Sequence, residues 1–269
     1  MNLMNLEMMD ATARIAEALQ VRGVFVKVKD DFIILTDENT KADISKVREL
    51  LHNLGIPTFW QENKFQVLVT RVPISMMKRI MNTPGREFPI FIESYHYKWK
   101  PFVQRRFGIK VNALDLDANM AMLVKSLNLA GITALTGCNG HHRYNPNVQL
   151  SGGFHGAWFE VIQEKYLSTC SLHYKWKVYY GNESGSCIIA DKGKGEAERW
   201  NMNLIYQDTV QMAQIIQKHA AEIRELKRAA FKRKGEMKEQ AKRFVEKREF
   251  AQLVEWMKDK MGKCIQEDK

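Results

Sequence analysis

Apolar residues recur at helical spacing through Leu3, Leu6, Met9, Ala13, Ile15 and Leu19, which predicts a helix over Met1 to Gln20. The period then changes to two. Val24, Val26 and Val28 alternate with Phe25, Lys27 and Lys29, and Asp30-Asp31 separates this run from Phe32 to Thr36, the pattern of a β-hairpin. Helical spacing returns with Ile44, Val47, Leu50 and Leu51 behind Asp43, a suitable N-cap, and Gly55 stands where a C-terminal glycine belongs. Thr58 to Trp60 and Phe65 to Thr70 make a second hairpin around Glu62-Asn63. Pro73 opens a further helix through Met76, Met77, Ile80 and Met81, which Thr83-Pro84-Gly85 ends. Residues 1–87 therefore read as a small α+β lobe.

A second α+β lobe is expected over residues 88–193. Strands are predicted at Phe88 to Ile92 and Gly108 to Asn112, and a helix capped by Asp115 or Asp117 carries Ala118, Met122, Leu123, Leu127 and Ala130 to Gly131. Ile132 to Thr136 leaves that helix as a strand. If it runs parallel to its neighbour, the loop beyond it lies at the strand end where α/β sheets hold ligands. Val148 to Ser151, a helix over Phe154 to Leu167, and the alternating runs Leu172 to Tyr180 and Ser186 to Ala190 complete the lobe.

Residues 194–269 change to helix formers. Met212, Ile216, His219, Ile223, Leu226 and Ala230 recur at spacings of four and three, a heptad seam, and a second amphipathic stretch runs from Met237 to Met261 beyond Gly235. A 30-residue helix would span about 45 Å, so part of this region is expected to project or to pack on another subunit, with Met212, Ile216, Ile223, Leu226 and Ala230 as the interaction surface of a homo-oligomer.

Composition narrows the class without naming an activity. The chain has 269 residues, 45% of them hydrophobic, enough for a sizeable core. No apolar run reaches the roughly 18 residues of a bilayer span, and Glu7, Asp10 and Arg14 interrupt the N-terminus where a signal peptide would be apolar, so a cytoplasmic protein without membrane contact is expected. Four scattered cysteines, Cys138, Cys170, Cys187 and Cys264, read as reduced thiols. A net charge of +10 makes an acidic partner such as nucleic acid plausible, and the run Tyr95 to Pro101 interleaves aromatics with lysines in a manner that suits base stacking, although an aromatic-rich loop packing the two lobes together is the favoured reading.

Reactive groups concentrate in Gly131 to His142. Cys138-x-x-His141 and Cys170-x-x-His173 share one spacing, and together they would supply a tetrahedral Zn²⁺ site. A nucleophilic reading makes Cys138 the thiolate and His141 or His142 its base, oriented by Asp115, Asp117 or Glu160. A third reading makes Gly137, Asn139, Gly140 and Arg143 a cradle for a nucleotide or phosphate. No hydrolase, Walker or dinucleotide signature accompanies the loop, so no obligatory cofactor is expected, zinc is the ion that would fit, and an enzyme is the less favoured class.

The block Leu127-Asn128-x-Ala130-Gly131-Ile132-Thr133, followed by Cys138-Asn139-Gly140-His141, resembles a pattern in uncharacterised proteins of bacteriophages and mobile elements of Gram-positive bacteria. The resemblance covers residues 110–160 and implies a phage-encoded protein acting in the host cytoplasm. With the helical tail it suggests an oligomeric inhibitor or modulator of a host protein complex, such as an anti-phage defence system. The competing classes are a metal- or thiol-dependent enzyme acting on a nucleotide or nucleic acid, and a basic nucleic-acid-binding protein.

Overall fold

The computed structural model describes residues 9–37, 39, 41–82, 116–181, 185–192, 199–231 and 234–267. The strand expectations at Phe88 to Ile92 and Gly108 to Asn112, the Asp115 cap and the aromatic-lysine run Tyr95 to Pro101 lie outside the described residues.

The first lobe is α1 (Ala11–Val21), β1 (Val26–Lys29), β2 (Phe32–Leu35), α2 (Lys41–Asn53), β3 (Thr58–Gln61), β4 (Lys64–Val67) and α3 (Ile74–Asn82). Asp10 caps α1 by accepting the Ala13 N–H at 2.7 Å. The two hairpins join in an antiparallel sheet of order β1-β2-β4-β3. One face of it carries Val26, Ile33, Leu35, Phe65 and Val67 into the core, and the expected alternation breaks at Phe25, which is buried along with Val24 and Val26, and at Val28, which stays exposed at the sheet edge.

The second lobe is α4 (Ala118–Leu129), β5 (Ala134–Cys138), β6 (Asn147–Leu150), α5 (Gly153–Ile162) continued by one π-helical turn (Gln163–Leu167), β7 (Lys175–Tyr180) and β8 (Ser186–Asp191). Its sheet, of order β5-β6-β8-β7, is antiparallel throughout, with β5 at one edge. Among the described residues the loop after β5 therefore does not sit at the carboxyl end of a parallel sheet. It is a hairpin connection to β6.

Four helices follow: α6 (Met202–Lys218), α7 (Ala220–Ala230), α8 (Lys234–Glu246) and α9 (Phe250–Glu267). They complete a mixed α+β architecture, two four-stranded sheets and then a helical region. The expectation of a projecting tail is corrected. The helical run breaks at His219, α6 lies along α4, α7 packs on α9, and α9 lies along α5. Met212, Ile216, Ile223 and Ala230 are buried within the chain and Leu226 is half-buried, so the seam faces this chain's own core and offers no open surface to a second copy. The physical reason is α4, every residue of which is buried. A helix buried all round must be covered on more than one side, and α6 supplies one cover, joined to it by a buried bond from Asn119 Nδ2 to Thr209 Oγ1 at 3.0 Å.

The buried apolar residues form one continuous cluster from Ala11 to Met257, so the three segments at 1–87, 88–193 and 194–269 share a core. Lys125 on α4 illustrates the joint. Its stem would touch a Cβ added at Gly23, and its ammonium lies 4.7 Å from the Phe25 ring centroid. Gly23, at φ +83°, is held to glycine by conformation and by this approach. No helix among the described residues is long and apolar enough to cross a membrane.

Candidate metal centre

The loop after β5 is shaped by its own backbone. Gly140, His141 and His142 take φ of +83°, +46° and +67°, three consecutive left-handed residues, of which only the first is glycine. Such conformations cost non-glycine residues energy and persist where the surroundings fix them. Here Gly140 O accepts the N–H groups of Arg143 and Tyr144 at 2.9 and 2.8 Å, the His141 N–H donates to Asn139 Oδ1 at 3.0 Å, and the Gly140 N–H points to Cys138 Sγ at 3.3 Å. A Cβ on Gly140 would stand 2.0 Å from the Tyr144 carbonyl oxygen. Gly140→Ala is therefore expected to destabilise the protein by roughly 2–3 kcal/mol, read as a lower urea midpoint at unchanged slope; a variant as stable as the parent would contradict this geometry.

Asp117 completes the site. It occupies the N-cap position of α4 without making a side-chain cap, and its Oδ2 instead accepts the Asn139 N–H at 2.9 Å and lies 3.7 Å from His141 Nε2. Asp117, Cys138 and His141 each offer one donor atom, and the three atoms lie within 4.8 Å of one another, the first two residues half-buried and His141 exposed. Tetrahedral zinc with bonds of about 2.0–2.3 Å sets its ligands about 3.3–3.8 Å apart. The His141–Asp117 separation already falls in that range. These three residues can hold a metal ion after small side-chain rotations.

Other predicted residues are placed elsewhere. Cys170 and His173 do not join the cluster: the Cys170 thiol faces the Tyr166 carbonyl at 3.9 Å, and the His173 ring donates to Gln207 at 2.8 Å while its N–H donates to Asp208. The shared Cys-x-x-His spacing failed because the second copy enters β7, where α6 takes up its polar groups. His142 is tied to Trp200, its Nδ1 to the carbonyl at 3.1 Å, and Glu160 bonds the Tyr180 hydroxyl at 3.1 Å, so neither serves Cys138. The groups of the expected phosphate cradle are placed as follows. The N–H groups of Asn139, Gly140 and His141 are already engaged, Gly137 is pressed between Met120 and the Asn147 carbonyl, and Arg143 is exposed.

No protein-family model, curated protein or solved structure matches the chain. Chemistry alone must read this site. Cys138, Cys170 and Cys187 are free thiols, and burial pushes the Cys187 thiol up to about 11 and that of Cys170 upward, which makes both poor metal ligands or nucleophiles. A nucleophilic relay needs the two nitrogens of one imidazole shared between thiol and carboxylate. Here the three donor atoms lie within 4.8 Å of one another, close enough to serve one ion.

Sequence reasoning found Cys138 and His141 and did not group Asp117 with them as a third ligand candidate. It weighed that residue as a helix cap and as a carboxylate orienting a base, never as a ligand. The available signal was a carboxylate at the start of a helix whose C-terminal end leads directly into the Cys138 strand, so that a short hairpin turn returns His141 to the same end.

Proposed function

We propose that this protein is metal-dependent, with Asp117, Cys138 and His141 holding one Zn²⁺ ion whose remaining coordination position is open to an external ligand. The convergence of the three donor atoms carries the reading. Three protein ligands and an open position are the pattern of zinc sites that meet a substrate or water, whereas structural sites are closed by four protein ligands. A zinc ion there would supply a Lewis acid at the protein surface. The ligand class is a nucleotide or nucleic acid, supported by the +10 net charge, which concentrates polyanions, and by a phosphate oxygen being a suitable donor for the open position.

The test is metal titration of chelator-stripped protein with Zn²⁺ and, as a spectroscopic reporter, Co²⁺. Uptake of a single ion is expected, with a thiolate-to-cobalt charge-transfer band. Cys138→Ser removes the band, and Asp117→Asn or Cys138→Ser weakens zinc binding by more than the roughly 10- to 100-fold that losing an outer-sphere partner costs. Cys170→Ser and His173→Ala leave both readouts unchanged. Protein that takes up neither ion, or a Cys138→Ser variant that binds cobalt as the parent does, would sink the proposal.

A further inference from the structure

The outward face of the first sheet has a composition that its own fold does not explain. The antiparallel register aligns Lys29, Phe32, Gln66 and Phe59 in one row across the four strands. The next row on the same face is Lys27, Ile34, Lys64 and Gln61. An ordinary solvent face mixes both signs of charge. These two rows hold three lysines, two phenylalanines and no carboxylate. Within the two hairpins the acidic groups are Asp30 and Asp31 in the β1–β2 turn and Glu62 in the β3–β4 turn, at opposite ends of the sheet and beyond the rows.

Phe59 is 50% exposed although large aromatic side chains normally seek burial. Phe32 is half-buried, and Lys64 Nζ stands over its ring, 4.7 Å from the centroid. The two phenylalanines are separated by β4, about 10 Å at ordinary strand spacing, so each can receive its own base. Lys27 and Lys29 on the neighbouring edge strand are exposed. Aromatic rings for base faces, flanked by ammonium groups for the backbone, are what single-stranded nucleic acid requires of a protein surface. A protein partner would ask for a broader apolar centre than the adjacent Phe32 and Ile34, which Gln66 and Lys64 separate from Phe59 and Gln61.

We propose that this face binds single-stranded nucleic acid, with Phe59 and Phe32 stacking bases and Lys27, Lys29 and Lys64 holding phosphates. The +10 net charge brings the polyanion to the surface, and the rings distinguish unpaired bases from any other polyanion. On binding, Lys64 leaves the Phe32 ring for a phosphate and a base takes its place. The sheet register alone sets this row of rings and ammonium groups, with no contribution from the metal centre.

The experiment is fluorescence anisotropy of a labelled oligothymidylate of about ten nucleotides, with the full chain in chelator, so that failure of the metal reading leaves the result untouched. Phe59→Ala is expected to weaken binding about tenfold or more. Phe59→Trp, which keeps a ring, binds as the parent does, and its added indole fluorescence is quenched by the oligonucleotide. The pair Lys27→Glu and Lys29→Glu removes most binding. Tyr179→Ala, which deletes an exposed aromatic of the second sheet, changes nothing. Three phosphate contacts give a slope of log affinity against log salt of about −2. The proposal is overturned if the parent protein does not bind the oligonucleotide, or if folded Phe59→Ala binds it as tightly. It is equally overturned if a duplex of the same length or anionic lipid vesicles bind with the same dependence on Phe59.

Discussion

Asp208→Ala is expected to destabilise the protein by about 3–5 kcal/mol, a larger loss than that of Gly140→Ala. Asp208 is fully buried on α6, and its two oxygens accept three hydrogen bonds: from the His173 N–H at 2.8 Å, the Tyr174 N–H at 2.9 Å and Trp176 Nε1 at 3.0 Å. These bonds fasten the helical region to the chain as it enters β7. Alanine leaves two buried donors, the Tyr174 N–H and Trp176 Nε1, and the part-buried His173 N–H without this acceptor, each buried one costing about 1–3 kcal/mol unless water reaches it. Asp208→Asn keeps the shape but turns an amide NH₂ toward other donors, so a smaller loss of about 2 kcal/mol is expected. Thermal unfolding should show the alanine variant melting on the order of 10 °C lower. A shift of only a degree or two would mean that the carboxylate is replaceable and that α6 is held by apolar contact alone.

That anchor also explains a limit of the sequence reading. Cys170-x-x-His173 resembled half of a metal site because spacing carries no information about what packs alongside. Asp208 and Gln207, more than thirty residues later, take the polar groups of His173. By contrast, the hairpins at Asp30-Asp31 and Glu62-Asn63 were legible because their signals are local. Turn residues break runs of alternating burial, and Asp30 and Glu62 both take φ of +52° as tight turns demand.

The heptad seam was legible as an amphipathic helix, but its partner was not. Met212 and Ile216 would suit another subunit or another helix of the same chain. The deciding feature lay in α4, where Met120, Ala121, Met122, Leu123 and Val124 form an almost unbroken apolar run. A helix of that kind needs neighbours on several sides, and a chain with one buried helix and one unassigned apolar stripe has a partner for it already. The Asp117, Cys138 and His141 cluster was half legible for a related reason. Cys138 and His141 share one loop, whereas Asp117 reaches them only because α4 runs back past β5.

Stability should rise with pH between about 7 and 10.5, and Lys227→Met should abolish most of that rise. Lys227 is 2% exposed on α7, beneath Phe154 and Trp158, with Nζ donating to the Gly131 carbonyl at 2.6 Å. With Arg224, which donates to the Leu129 carbonyl at 2.9 Å, it serves the carboxyl end of α4, where a helix dipole favours cations. Burial nevertheless lowers the Lys227 ammonium to about 7, against about 10.4 for a lysine in the unfolded chain. Between these values the unfolded chain carries a proton that the folded chain does not, so raising the pH favours the fold. Below pH 7 both states are protonated and the cost is constant; above about 10.5 neither is. At about 1.4 kcal/mol per pH unit the window amounts to a few kcal/mol. His155 works in a separate range. Its Nδ1 accepts the Thr133 N–H at 3.0 Å, and burial, with the Lys227 charge adding to it, pushes its pKa well below the usual 6.5, so stability falls as acid protonates it in the unfolded chain. Methionine at 227 keeps most of the stem packing and removes the ionisable group, at the cost of one carbonyl partner, about 1–2 kcal/mol. Urea midpoints at pH 5, 6, 7, 8, 9 and 10 separate the two effects: the parent should climb from pH 7 to 10, the variant should stay nearly level there, and the loss on the acid side should persist in both. A parent midpoint that is flat above pH 7 would show that the Lys227 amine keeps its charge in the fold.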